Sequence, residues 1–173
     1  MSVGTLNQRT FCLGGNVHLV ATDQDGNIKC VRTVPENGIV RQGVNAMIAH
    51  ALFTGGEYTC DFIGVGSSVS AASDDVSITN ECTVAVGTGG TTSRVTALFN
   101  QNDSATFEAT LEATLQFSEA YTALVAGLFA HYSMTSNTNS IFAKATFDSI
   151  NLACTDKLTI RWVFSLHACV PGA

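Results

Sequence analysis

The side chains best suited to chemistry are four histidines, His18, His50, His131 and His167, and a thin scatter of carboxylates. Imidazoles bind metals or shuttle protons near neutral pH, but both roles need partners at short spacing. His18, His131 and His167 fall in or beside predicted strands with no second histidine or carboxylate at ligand spacing. A cupin-like centre in a jelly roll gathers its histidines closely on one strand, and this chain has no such pair. Glu108 and Glu112 are a candidate carboxylate pair for glycoside hydrolysis. On a strand they face the same way roughly 13–14 Å apart, too far for that reaction, so they read as charges that keep a β-surface wet.

Other constellations fail on similar grounds. Ser and Thr abound, yet no G-x-S-x-G elbow marks one as a nucleophile. Gly64, Gly66, Gly87, Gly89 and Gly90 lack the Lys-Ser or Lys-Thr of a phosphate loop and the strand-to-helix G-x-G-x-x-G, so they read as loop turns. Asp23, Asp25 and Asn27 resemble the start of a calcium loop without its later Gly, its Glu or its flanking helices; Asp25-Gly26-Asn27 reads as a turn. Asn102-Asp103-Ser104 fits a glycosylation acceptor and equally a turn. The six cysteines, Cys12, Cys30, Cys60, Cys82, Cys154 and Cys169, contain no C-x-x-C pair. With no export signal at the start of the chain, they read as reduced, mostly buried thiols. No catalytic, cofactor-binding or metal-ligating residue is expected, and no enzyme.

The elements that would hold these residues are strands. Phe107, Ala109, Leu111, Ala113, Leu115 and Phe117 alternate with Thr106, Glu108, Thr110, Glu112, Thr114 and Gln116, which predicts a long strand with one buried face. Leu158, Ile160, Trp162, Phe164 and Leu166 repeat the pattern near the C-terminus, placing Trp162 in the core. Leu13–Thr33 predicts a hairpin about the Asp-Gly turn. Further strands are expected over 60–65, 82–86, 92–99, 121–129 and 141–147, with a polar loop over 133–140. Between Asn37 and Phe53, Val40, Val44, Met47, Ile48, Ala51 and Leu52 recur at helical spacing before Gly55-Gly56. The expected fold is all-β, mainly an antiparallel β-sandwich or jelly roll, with one substantial helix near residues 38–53. A polar N-terminal arm over 1–14 is expected to precede a single domain over 15–173.

Composition narrows the function classes. Charged residues make up only 13% of the 173, against about 25% in ordinary soluble domains. Such a surface favours an oligomer or an assembly component. Eight Lys and Arg scattered through a chain of net charge −6 offer no patch for successive phosphates, which disfavours nucleic acid. No long apolar run suggests a membrane span, and a soluble protein made in the cytoplasm is expected.

Two stretches taken together carry a resemblance. The first runs through Glu36-Asn37-Gly38-Ile39-Val40 and Gly43-Val44-Asn45-Ala46-Met47-Ile48-Ala49 to Phe62-Ile63-Gly64-Val65-Gly66. The second comprises Gly127-Leu128-Phe129, Ile141-Phe142-Ala143-Lys144-Ala145-Thr146-Phe147 and Asp156-Lys157-Leu158-Thr159-Ile160-Arg161-Trp162. This order resembles small structural proteins of tailed bacteriophages that sit on the virion as capsid decoration or as tail components. Ala126 and Lys144 stand where such proteins often carry a Glu and an Arg. The resemblance implies a cement protein that binds the major capsid protein, stands as a homotrimer and is located on the virion. A tail, baseplate or fibre module that contacts a receptor is the alternative. Such a module would expose aromatics, and Tyr58, Tyr121 and Tyr132 all lie near predicted strand ends.

Overall fold

The computed structural model describes residues 11–35, 38–39, 58–69, 78–83, 85–86, 94–101, 108–132 and 140–168. They form eleven strands: β1 Phe11–Thr22, β2 Ile28–Pro35, β3 Gly38–Ile39, β4 Tyr58–Gly66, β5 Ala85–Val86, β6 Arg94–Thr96, β7 Leu98–Gln101, β8 Glu108–Phe117, β9 Tyr121–Tyr132, β10 Ser140–Leu152 and β11 Lys157–Ala168. All pairings are antiparallel. One sheet, sheet A, has the order β2-β1-β11-β8-β5, with β7 also paired to β8; the other, sheet B, has the order β3-β10-β9-β4-β6.

The alternation of the two long C-terminal segments explains how the sheets meet. Leu111, Ala113, Leu115 and Phe117 of β8 and Leu158, Ile160, Trp162 and Phe164 of β11 all point inward and are buried. They share one core with Val17, Leu19 and Ala21 of β1 and with Ile63, Val65, Ala126, Leu128, Phe142 and Ala145 from the facing sheet. The two antiparallel sheets thus pack face to face in a sandwich-like all-β fold. Each fully buried Leu, Ile or Phe adds about 1.5–3 kcal/mol relative to exposure, so this shared layer is the main stabilising feature.

The pairing is nested along the chain. β1 joins β11, β3 joins β10, β4 joins β9, and β5 and β7 join β8. The hairpins β1–β2 and β9–β10 supplement this nesting, β6 joins β4, and β11 also joins β8, a pairing that crosses the nest. The β1–β2 turn forms as expected: Asp23 Oδ1 accepts from the backbone N–H groups of Asp25 and Asn27, and Gly26 adopts φ 86.

Several expectations change. No helix occurs among the described residues. Gly38–Ile39, at the start of the expected helix over 38–53, instead pairs with Lys144 and Ala143 on the edge of β10; residues 40–53 lie outside the described residues. The single strand expected over 92–99 is two: β6 pairs with β4 in sheet B, and after Ala97 the chain enters sheet A, where β7 pairs with β8. Apolar period alone cannot distinguish one strand from two that serve opposite layers. Phe11–Gly14, from the stretch 1–14, run in β1 against β11; residues 1–10 lie outside the described residues. No described helix is long and apolar enough to cross a membrane.

Candidate docking surface

Among the described residues, those considered for chemistry are not brought together. His18 sits on the outer face of sheet A with Nδ1 3.1 Å from Thr33 Oγ1. His50 and the side chains of His131 and His167 lie outside the described residues. Glu108 and Glu112 share the outer face of β8, where Glu112 is opposite Arg161 and Glu108 opposite Ser165. Asp23 is consumed by its own turn: Asn27 Nδ2 donates to Oδ2 at 2.9 Å, and this bond, with the backbone N–H of Asn27, holds the carboxyl below its usual value. Among the described residues no group of three or more His, Cys, Asp or Glu could hold a metal ion. Cys30, Cys60, Cys82 and Cys154 are unbridged, Cys82 fully buried and Cys154 exposed in the β10–β11 turn. Trp162 is wholly buried, as its register predicts, with its Nε1 lacking a hydrogen-bond partner.

Three polar features escaped the sequence reading, and all of them fix loops onto sheets. Lys29 of β2 pairs with Asp156, buried in the β10–β11 turn, whose Oδ2 also accepts from the backbone N–H of Ala153 at 2.7 Å. The segment Ile78–Cys82 lies as a strap across the far side of sheet B. Ile78 fits against Val125, Phe129 and Ile141 in a notch left by two glycines: a Cβ on Gly66 would sit 2.1 Å from Ile78 Cγ2, and one on Gly127 2.6 Å from Ile78 Cδ1. Glu81 of the strap receives the Arg94 guanidinium through two hydrogen bonds, at 2.6 and 2.9 Å, and the same guanidinium lies 3.6 Å from the centre of the Phe129 ring. Tyr121 donates to the Asn80 carbonyl at 2.9 Å, and burial pushes its phenol up to about 12. Arg94 opens β6, so the strap also fixes the corner that delivers β7 to sheet A.

What this scaffold presents is a broad outer face on sheet A. One cross-strand row reads Thr33, His18, Arg161, Glu112, Leu98; the next reads Val31, Val20, Thr159, Thr114. Thr114 and Thr159 share a hydroxyl hydrogen bond of 2.9 Å. Its charges are balanced, with Arg161 and Glu112 facing each other mid-sheet and Glu108 and Lys157 towards its ends. The face spans roughly 19 Å across five strands and roughly 25 Å along them, a plan area on the order of 500 Å². One partner in a standard protein interface buries about 800 Å², so this face supplies much of one. Such a surface can bind by area.

Comparison with protein-family models, curated proteins and solved structures finds no match to this chain. The functional reading therefore rests on the surface itself.

Proposed function

We propose that this chain is a virion structural protein of a tailed bacteriophage, a capsid decoration or cement protein that docks on the major capsid lattice. The observation that carries the reading is the broad outer face of sheet A, where Val20, Val31, Val163 and a row of threonines stand on long paired strands. A protein of this kind acts by area: binding only the assembled lattice stabilises it by RT ln(1 + [L]/Kd) per site, and repetition over a shell multiplies a modest contact. In this reading the protein is made in the host cytoplasm, joins the virion and stands as a homotrimer. The nested pairing across two sheets supports the finer description as a jelly roll.

The test is co-sedimentation of the purified protein with empty phage capsids, beside a variant carrying Val20→Lys and Val163→Lys. Wild-type protein in the capsid pellet and the variant in the supernatant is the expected result. A wild-type protein that ignores capsids and pellets with purified tails would instead establish the alternative, a tail, baseplate or fibre module. That alternative draws its support from Phe99, an aromatic ring 61% exposed on an edge strand.

A further inference from the structure

Among the described residues, sheet A ends at β2 on one side and on the other at β7 and β5, which both pair with β8; β7 lies along Ala109–Glu112 and β5 along Gln116 and Phe117. Five large hydrophobic side chains are strongly exposed among the described residues, and four of them lie on these two edges: Ile28 at 67% and Val31 at 54% on β2, Leu98 at 70% and Phe99 at 61% on β7. A sheet edge carries a row of backbone donors and acceptors that recognises another extended chain, and proteins ordinarily blunt such edges with charge. Here apolar side chains stand along both edges, and no described strand pairs with β2 or β7 on its outer side.

The two edges differ in charge. β2 holds Lys29 and Arg32 and no acid. Lys29 is committed to Asp156, whereas among the described residues the exposed Arg32 guanidinium donates to the Val31 carbonyl of its own strand. β7 is uncharged, but its neighbour β8 carries Glu108 and Glu112. Two β2 edges brought together would set basic strands side by side, which disfavours a symmetric pair. A β2 edge against a β7 edge sets a basic strand beside an uncharged one and avoids that repulsion.

Direction agrees with this. Successive antiparallel pairings from β2 through β1, β11 and β8 to β7 make β2 and β7 run the same way. A neighbour rotated about an axis along the strands would therefore add its β2 to β7 as a parallel pair. In one register of that pair Leu98 meets Val31 of the next copy on the outer face, and Phe99 meets Arg32 of the next copy on the inner side, an aromatic face for a guanidinium.

We propose that copies of this chain associate head to tail, the β2 edge of one continuing sheet A beyond the β7 edge of the next. The interface is heterologous, so it closes into a ring where the rotation allows and otherwise runs on as an open chain. This deepens the assembly role above by naming the self-contact, and it can fail independently of that role.

The experiment is sedimentation velocity across a dilution series for wild type, Val31→Lys and Leu98→Lys, with circular dichroism confirming that each variant folds. Wild type is expected to associate, and each variant alone to associate more than about tenfold more weakly. Mixed in equal amounts, the two variants are expected to form a one-to-one dimer, because Val31→Lys keeps an intact β7 edge and Leu98→Lys an intact β2 edge. A wild-type monomer at every concentration, a variant that self-associates like wild type, or a mixture that stays monomeric would each overturn the proposal. A monomer that still pellets with capsids sinks the head-to-tail contact alone. A ring that ignores capsids sinks the capsid reading alone.

Discussion

Arg94 and Glu81 form a planar two-bond pair, Nε to Oε1 at 2.6 Å and a terminal guanidinium nitrogen to Oε2 at 2.9 Å, with each side chain 20% exposed. The strap and β6 are locked together at this point, and Phe129 closes the other face of the guanidinium. Gly64 leaves the room: a Cβ there would lie 3.1 Å from Glu81 Oε1 and 3.3 Å from both Arg94 and Phe129.

Replacing Arg94 by Ala strands the carboxylate of Glu81 beside an apolar cluster. The expected loss is roughly 1–3 kcal/mol, below the range for fully buried pairs because some water reaches this one. Arg94→Lys keeps the charge and loses the fork, so it should recover only part of the stability. Urea unfolding measures both, and an Arg94→Ala protein as stable as wild type would show that the pair holds nothing in place.

Gly127→Ala drives a methyl group into Ile78, and its two closest neighbours are both atoms of that side chain, at 2.6 and 3.0 Å. A destabilisation of about 1–3 kcal/mol follows from overpacking. In an Ile78→Ala background the same change should cost much less, since the obstructing atoms are gone. Equal costs in the two backgrounds would disprove the notch.

For Asp156, burial raises the carboxyl pKa, but the Lys29 ammonium and the Ala153 N–H outweigh burial and hold it below its usual value. A carboxyl whose folded pKa is depressed contributes stability that is complete above the unfolded value of about 3.9 and is lost as pH falls through the folded one. Wild-type stability is thus expected to keep this contribution down to about pH 4 and to lose it in stronger acid. In Lys29→Met, burial is left without its counter-charge, the folded pKa rises towards the unfolded value, and the stability lost on acidification below about pH 4 shrinks. Urea midpoints measured against pH decide the matter; superimposable profiles would rule the pair out as the cause.

Trp162 is the only tryptophan and is fully buried, so iodide should quench its fluorescence only once the protein unfolds. Its Nε1 has no partner, so part of the side chain's packing gain is offset by a desolvated donor. Trp162→Phe removes that donor and keeps most of the ring, and should cost under about 2 kcal/mol, against ~3–5 for Trp162→Ala. Circular-dichroism melts separate the two; equal losses would mean that the indole N–H is satisfied in solution.

What the sequence revealed was local. Period-two alternation over β8 and β11 named nearly every inward side chain, because a sheet with one buried face writes its burial into every second residue. The Asp-Gly turn fixed the β1–β2 hairpin for the same reason. What stayed hidden depends on partners far along the chain: Lys29 and Asp156 are 127 residues apart, and no local pattern couples them. The division of 92–99 between two sheets was equally silent, since Val95 and Leu98 are apolar whichever layer they join. No local pattern marks Ile28, Val31, Leu98 and Phe99 as edge residues either, because that depends on which strands end the sheet.

The nested pairing has a kinetic consequence. β11 lies between β1 and β8, so sheet A remains in two unconnected parts until the last of its strands arrives to join the first. Closing such distant pairs costs loop entropy before any contact repays it, which places this fold among slow, high-contact-order folders. During synthesis β1 and β8 wait with open edges for a strand not yet made, and for that interval the half-built sheet is the form of the protein most exposed to aggregation.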